Sequence, residues 1–317
     1  MPRDSLTRAS ALRLLAAAPV ALPSAAVAQT LPPILVGIES GGETFAESRY
    51  AADSGIFTKS GLNVQLAEFS SAGPGVAALV GGSLDIGIGD VIVLANAVNR
   101  GVPIVAIAAG ALFSAREPTS GLCVLKSSLI KTAKNFEGQT IAVGTLVSLT
   151  SIALRMWLSQ NGINPEQVQF IEMRFSEMAS ALDRGTVAGA YLVEPIITQT
   201  SDRIKLFAVP YGAIAASFPI SVILTSRSWL ATHGDAAGKF VGAIYDTARW
   251  ANANRALTVG ILANYAKVDP DVIRRMHRVT FATSLDPAAV QAVLNAAAAN
   301  KLIDRPTNAA DLIAHVV

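Results

Sequence analysis

Between Ala51 and Asp90 the chain reads AADSGIFTKSGLNVQLAEFSSAGPGVAALVGGSLDIGIGD: helix, strand, glycine-rich turn, helix, strand, and then a second polar turn. Helix and strand in alternation leave few architectures open, and the natural one is a mostly parallel sheet with helices packed on its faces. Each turn falls at the carboxyl end of a strand, where open α/β sheets place their ligands. Just before this stretch, Ile34-Leu35-Val36-Gly37-Ile38 is an unbroken apolar run, as expected of a strand covered on both faces.

The spacing predicts strands over 34–38, 63–68, 84–88 and 102–108, with helices ending near Asp53, starting at Pro74 and covering 91–100. Pro74 suits the first turn of a helix, where its missing N–H costs nothing. After Gly110 a Pro-containing stretch, 115–120, breaks the series. A second series then predicts strands over 121–125, 140–143, 168–172, 187–193 and 206–209, with helices near 128–136, over 151–160 and over 176–184. A second break at 211–219 leads to a strand over 220–225, and from Ser228 onward the pattern is helical. Two breaks with α/β units on each side imply a chain that crosses between two lobes twice. The expected division is 29–112 plus 216–317 for one lobe and 113–215 for the other, joined by a two-strand hinge that can close around a ligand.

An internal echo supports paired lobes. With Leu79 aligned to Leu182, Gly82-Ser83-Leu84-Asp85-Ile86 lies over Gly185-Thr186-Val187-Ala188-Gly189, each after an alanine-rich helix. The echo reads either as two related half-sites or as the common grammar of helix-to-strand turns.

Asp53-x-Gly55-Ile56-Phe57-x-Lys59-x-Gly61-Leu62-x-Val64 and Ala78-Leu79-x-x-Gly82-x-Leu84-Asp85-Ile86-Gly87 resemble the first-lobe signatures of one family, the nitrate/sulfonate/taurine (NMT1/THI5-like) solute-binding proteins. Phe136-x-Gly138-x-Thr140-Ile141-Ala142-Val143, Ala181-Leu182-x-x-Gly185-x-Val187 and Glu194-Pro195 resemble those of its second lobe. The likeness covers about residues 34–200 and implies the type II periplasmic-binding-protein fold, two α/β lobes around a cleft. It also implies a partner, the permease of an ABC importer in the inner membrane. One departure is Ala188 where the family usually has Asp; Asp85 is retained and is expected to brace a turn. The family name also covers a pyrimidine-synthesising branch with a cysteine-rich motif, which Cys123, the only cysteine, cannot supply.

The first residues read as a leader. Arg3, Arg8 and Arg13 precede an apolar run from Leu12 to Leu22, and Ala26-Val27-Ala28 gives a small-x-small cleavage pattern, so 1–28 is expected to be a signal peptide for export to the periplasm. Without it, basic and acidic residues balance at 22 each. Nothing in such a balance favours nucleic acid or an anionic membrane surface as partner, and none is expected. A monomer is expected.

Candidate ligand contacts fall in the strand-end loops: Glu39 and Ser40, Ser71 and Ala72, Asp90, Thr145, Ser148 and Thr150, Arg174 and Phe175, and Glu194. The hydroxyls of Ser71, Ser148 and Thr150 can donate to ligand oxygens beside helix N-termini, which carry partial positive charge. They can equally be N-caps. Glu39, Glu43, Asp90 and Glu194 together would repel a bare sulfonate or nitrate and suit a ligand with N–H donors or a positive centre. Glu43 is instead expected to be solvated or paired with Arg116, Arg174 or Lys126. Of Phe45, Phe113 and Phe175, only Phe175 is expected on the cavity wall.

His233, His277 and His315 lie in the helical C-terminal region without metal-ligand spacing. With no nucleophile elbow, P-loop or dinucleotide fingerprint either, the expectation is no metal, no cofactor and no catalysis. The sequence therefore points to a non-catalytic protein that captures a small polar organic solute, a nitrogen heterocycle or an amino-bearing acid. The alternatives are a ligand-binding module of a sensory system and an enzyme on the same fold.

Overall fold

The computed structural model describes residues 32–39, 42–69 and 72–316. The expected signal peptide and the candidates Ser40 and Ser71 lie outside the described residues, and of Ala72 only the backbone is placed. In chain order the strands are β1 (Ile34–Glu39), β2 (Val64–Phe69), β3 (Ile86–Gly89), β4 (Ile104–Ala109), β5 (Ala111–Ser114), β6 (Ser120–Leu125) and β7 (Thr140–Val143). They continue with β8 (Gln169–Glu172), β9 (Gly189–Val193), β10 (Ile204–Ala208), β11 (Ser217–Pro219), β12 (Val222–Ser226) and β13 (Thr280–Phe281).

Two five-stranded sheets, each with helices packed on it, form the two lobes. The first has the order β2-β1-β3-β12-β4 and the second β10-β6-β9-β7-β8. Both are mostly parallel, as expected, with one reversed strand each. β1 runs parallel to β2 and β3, whereas β12 runs antiparallel to β3 and β4. In the second sheet β7 is parallel to β8 and β9, and β6 is antiparallel to β9 and β10. The reason is topological. β6 and β12 are each the first strand after the chain crosses between lobes, so neither is preceded by the crossover helix that a parallel connection requires.

The crossings are β5 and β11, which pair antiparallel with Phe113 opposite Phe218. β13 adds to the free edge of β5 and makes a three-stranded sheet. This short strand was hidden in a region whose sequence reads as helical throughout. The helix expected near 128–136 is also absent: only a 3-10 turn, Ala133–Phe136, forms there, held by reciprocal bonds between Thr132 and Asn135.

The echo corresponds to matched local structure. Gly82 and Gly185 both take positive φ, 76° and 67°, at the end of their helices. The following N–H groups reach back alike, Ser83 to the Ala78 carbonyl (2.9 Å) and Thr186 to that of Ala181 (3.0 Å). Asp85 braces its turn, its Oδ2 accepting from the Leu35 N–H at 2.8 Å. At Ala188 the backbone contact survives, N–H to the Thr140 carbonyl at 2.9 Å, without the side-chain brace.

A buried ion pair ties the start of the first lobe to its end. Arg278 Nε donates to both Glu43 oxygens (3.0 and 2.9 Å), and the Val279 N–H and Tyr50 hydroxyl satisfy the same carboxylate. Glu43 is thus paired, but with Arg278 rather than with the three cations expected. Among the described residues no helix is long and apolar enough to cross a membrane.

Candidate functional site

Between the lobes lies a cavity of about 380 Å³, within the size range of small-molecule sites. Its walls come from strand ends of both sheets. β1 delivers Glu39 and β3 is followed by Asp90; β7 is followed by Gly144 and Thr145, and β8 by Met173, Arg174 and Phe175. The returning crossing contributes Tyr211 and Ile220.

Asp90 has a clear local reason to sit where it does. It is the N-cap of the helix Val91–Asn99, and its Oδ1 accepts from the N–H groups of Ile92 (2.8 Å) and Val93 (2.9 Å). Its Oδ2 accepts from the Leu149 N–H (3.2 Å), the first residue of the helix Leu149–Gln160 in the other lobe. One carboxylate therefore joins the positive ends of two helices across the cleft. Burial pushes its pKa up, and the three N–H donors oppose that shift.

Glu39 lies beside it, buried to 7% exposure. Desolvation first, and the neighbouring Asp90 charge second, push its pKa up to about 8. At neutral pH it is mostly a neutral acid with a proton to donate. Tyr265 approaches from the C-terminal helices, its hydroxyl donating to the Glu39 carbonyl.

The second-lobe wall differs. Arg174 caps the helix Phe175–Asp183 without a side-chain bond and lines the cavity exposed, its guanidinium free of any partner among the described residues. The Phe175 ring lies over Gly144, where an added Cβ would approach it to 3.0 Å, so Gly144 sets the ring's position. Glu172 and Glu177 also line this wall, and Glu172 is turned toward the Leu146 N–H (2.7 Å).

The cavity thus brings together Glu39, Asp90, Thr145, Ser148, Thr150, Arg174 and Phe175. Ser148 lines it but is the N-cap of its helix: its hydroxyl donates to the Thr145 carbonyl (2.9 Å) and accepts from Ser151 (3.4 Å). The Thr150 hydroxyl is shared with Tyr211 (3.2 Å). Glu194 is not on the wall. Its carboxylate turns back onto the N–H and hydroxyl of Thr198, both at 3.0 Å, where burial raises its pKa against those bonds and His277. Phe113 is core, packed on Tyr211 and Phe218, whereas Phe45 does reach the cavity.

Tyr211, Thr44, Ser120, Glu172 and Glu177 were not foreseen. Tyr211 carried a signal, an aromatic directly after Pro210 inside the second break. Among the described residues no three His, Cys, Asp or Glu side chains converge as metal ligands.

Comparison with known proteins accords with this geometry. The family described as NMT1/THI5 like matches residues 44–256. The taurine-binding periplasmic protein of Escherichia coli (strain K12) is 30% identical over 146 residues, a match spanning 46% of this chain and 44% of that protein. The alkanesulfonate-binding protein SsuA from Xanthomonas axonopodis pv. citri, solved bound to MOPS, superposes with a TM-score of 0.74 at 17% identity, covering 89% of this chain and 98% of that one. The fold also extends to a catalyst, the desulfurization enzyme DSZB, with a TM-score of 0.65 at 14% identity over 89% of this chain and 96% of that one.

Proposed function

The chain belongs to the NMT1/THI5-like family, and from that membership we propose that it is a periplasmic solute-binding protein that hands its cargo to the permease of an ABC importer. In this reading, 29–112 with 216–317 and 113–215 are the two jaws, the cargo stabilises the closed form, and the protein acts as a monomer.

The observation that carries the ligand class is the placement of charge in the cavity: Glu39 and Asp90 on one wall, and on the other the cation Arg174, flanked by Glu177 and by Glu172, one of whose oxygens accepts from the Leu146 N–H. A compact molecule with an ammonium group at one end and an acid at the other matches both walls. The ammonium group sits at Glu39, the acid at Arg174, and Phe175 and Tyr211 cover the apolar middle. This amino-bearing acid is one of the two solute classes expected from the sequence. The sequence suggested four carboxylates and four line the cavity, but Glu43 and Glu194 are engaged elsewhere and Glu172 and Glu177 take their place, beside the free cation Arg174. An acidic group on the ligand is therefore tolerated.

The charge state of Glu39 supplies a test. An ammonium group favours the ionised carboxylate, so binding at pH 7 releases a proton and affinity rises with pH up to about 8. A bare acid that merely accepted the Glu39 proton would instead bind more weakly as pH rises. A thermal-shift screen of taurine, β-alanine and ethanesulfonate at pH 6 and pH 8 separates these cases. Stabilisation by ethanesulfonate alone overturns the ligand class, and chemical turnover of a bound solute overturns the binding-protein reading in favour of an enzyme.

A further inference from the structure

The hinge sheet has a second face. Along β5, side chains alternate, so Phe113 points toward Tyr211 and the interlobe cavity while Leu112 and Ser114 point away from it. On that far side lies a cavity of about 270 Å³ lined by Leu112, Ser114, Arg116, Glu117, Thr119, Arg255, Arg278 and Thr280. Thr280 of β13 stands directly opposite Leu112 and so shares its face.

The lining holds far more donors than acceptors. Three guanidinium groups face one carboxylate. Arg278 is neutralised by Glu43, and Arg255 holds Glu117 through two nitrogens at 3.2 Å and Thr280 at 3.4 Å. Arg116 is exposed, and its guanidinium has no partner among the described residues. The Ser114 hydroxyl accepts from the Arg116 N–H (3.3 Å) and Thr280 accepts from Arg255, which leaves both hydroxyl protons available. The helix Arg255–Ala266 also begins here, with no side-chain cap and no acidic residue in its first turn, so its positive end is uncompensated.

We propose that this cavity behind the hinge binds a small oxyanion of the phosphate or carboxylate kind, independently of the solute in the interlobe cleft. Arg116 and Arg255 supply the forked N–H groups that match such oxygens, and Ser114 and Thr280 complete the donor set. Glu117 is the internal competitor, holding Arg255 until an anion displaces it. The occupant would touch both a crossing strand and the C-terminal helices, and so would resist relative motion of the segments that join the lobes.

Calorimetric titration of the purified protein with inorganic phosphate, in a low-chloride buffer, tests this site. The expected result is one saturable site, weakened about tenfold by Arg116→Ala and strengthened several-fold by Glu117→Gln, which removes the competing charge. Both positions are exposed, so both variants should fold. Absence of saturable binding, or an affinity unmoved by either substitution, overturns the proposal. So does phosphate binding that survives Arg116→Ala but is lost in Arg174→Ala, because the ion would then occupy the interlobe cleft.

Discussion

The two sheets share one pattern: β2-β1-β3-β12-β4 and β8-β7-β9-β6-β10 each run parallel, parallel, antiparallel, antiparallel. β3 and β9 correspond, and each is followed by an acid whose carboxylate accepts from an N–H of the next helix, Asp90 as its N-cap in one lobe and Glu194, one residue ahead of the cap Pro195, in the other. There the likeness ends. Asp90 keeps one oxygen for the opposite lobe and lines the cavity, whereas both oxygens of Glu194 are spent on Thr198. The first lobe's strand ends carry only acids in the cleft, whereas the second lobe's add the cation Arg174 and the ring of Phe175 to Glu172 and Glu177. A matched scaffold thus presents unmatched chemistry, which suits a ligand whose two ends differ.

The strongest way to break this comparison is to treat the two acids alike. Asp90→Ala removes a cap worth about 1 kcal/mol and a cross-cleft bond to a charged group worth about 2 kcal/mol. The cap is lost from free and bound protein alike, so calorimetry on the best solute should show affinity falling roughly thirtyfold, from the cross-cleft bond alone. Glu194→Gln should lower the melting temperature by a few degrees through the local turn, leaving affinity within about twofold. Equal losses in both would mean that the lobes use their acids in the same way.

Glu39 sharpens the acidic side. Its carboxyl titrates higher in the folded protein, near 8, than its ordinary 4.5, so folding takes up a proton. Its contribution to stability is therefore fully present below the ordinary value and is lost as pH rises toward 8. Glu39→Gln should flatten that slope in melting curves recorded from pH 5 to pH 8.5.

On the basic side, Arg174→Ala should cost about tenfold in affinity for a ligand bearing an acid, since the exposed guanidinium is partly screened. The smallest effect is expected at the echo. Ala188→Asp would restore the brace that Asp85 provides in the first lobe and raise stability by about 0.5–1 kcal/mol, read by denaturant melts.

Much of this asymmetry was outside the reach of the sequence. Alternating apolar runs and turns located most strands within a residue or two, because that pattern is local. The antiparallel β6 and β12 and the short β13 depend on where the chain crosses, which no local pattern encodes. Among the site residues, Glu39, Asp90, Arg174 and Phe175 were legible as strand-end side chains. That Glu194 would turn onto Thr198, and that Glu43 would find Arg278 some 235 positions along the chain, are facts of tertiary packing. Tyr211 was visible as an aromatic inside a crossing, but nothing in the sequence aimed it at the cleft.

The polarity of the cleft is tested most directly by titrating the protein with taurine and with ethanesulfonate at pH 7, in two buffers of different ionisation heat. The two compounds share a sulfonate and differ in the ammonium group. Taurine should bind at least about tenfold more tightly, as one added charge-assisted bond requires, and should release close to one proton, with the release abolished in Glu39→Gln. Equal affinities without proton release would contradict an acidic wall that recognises the ammonium end.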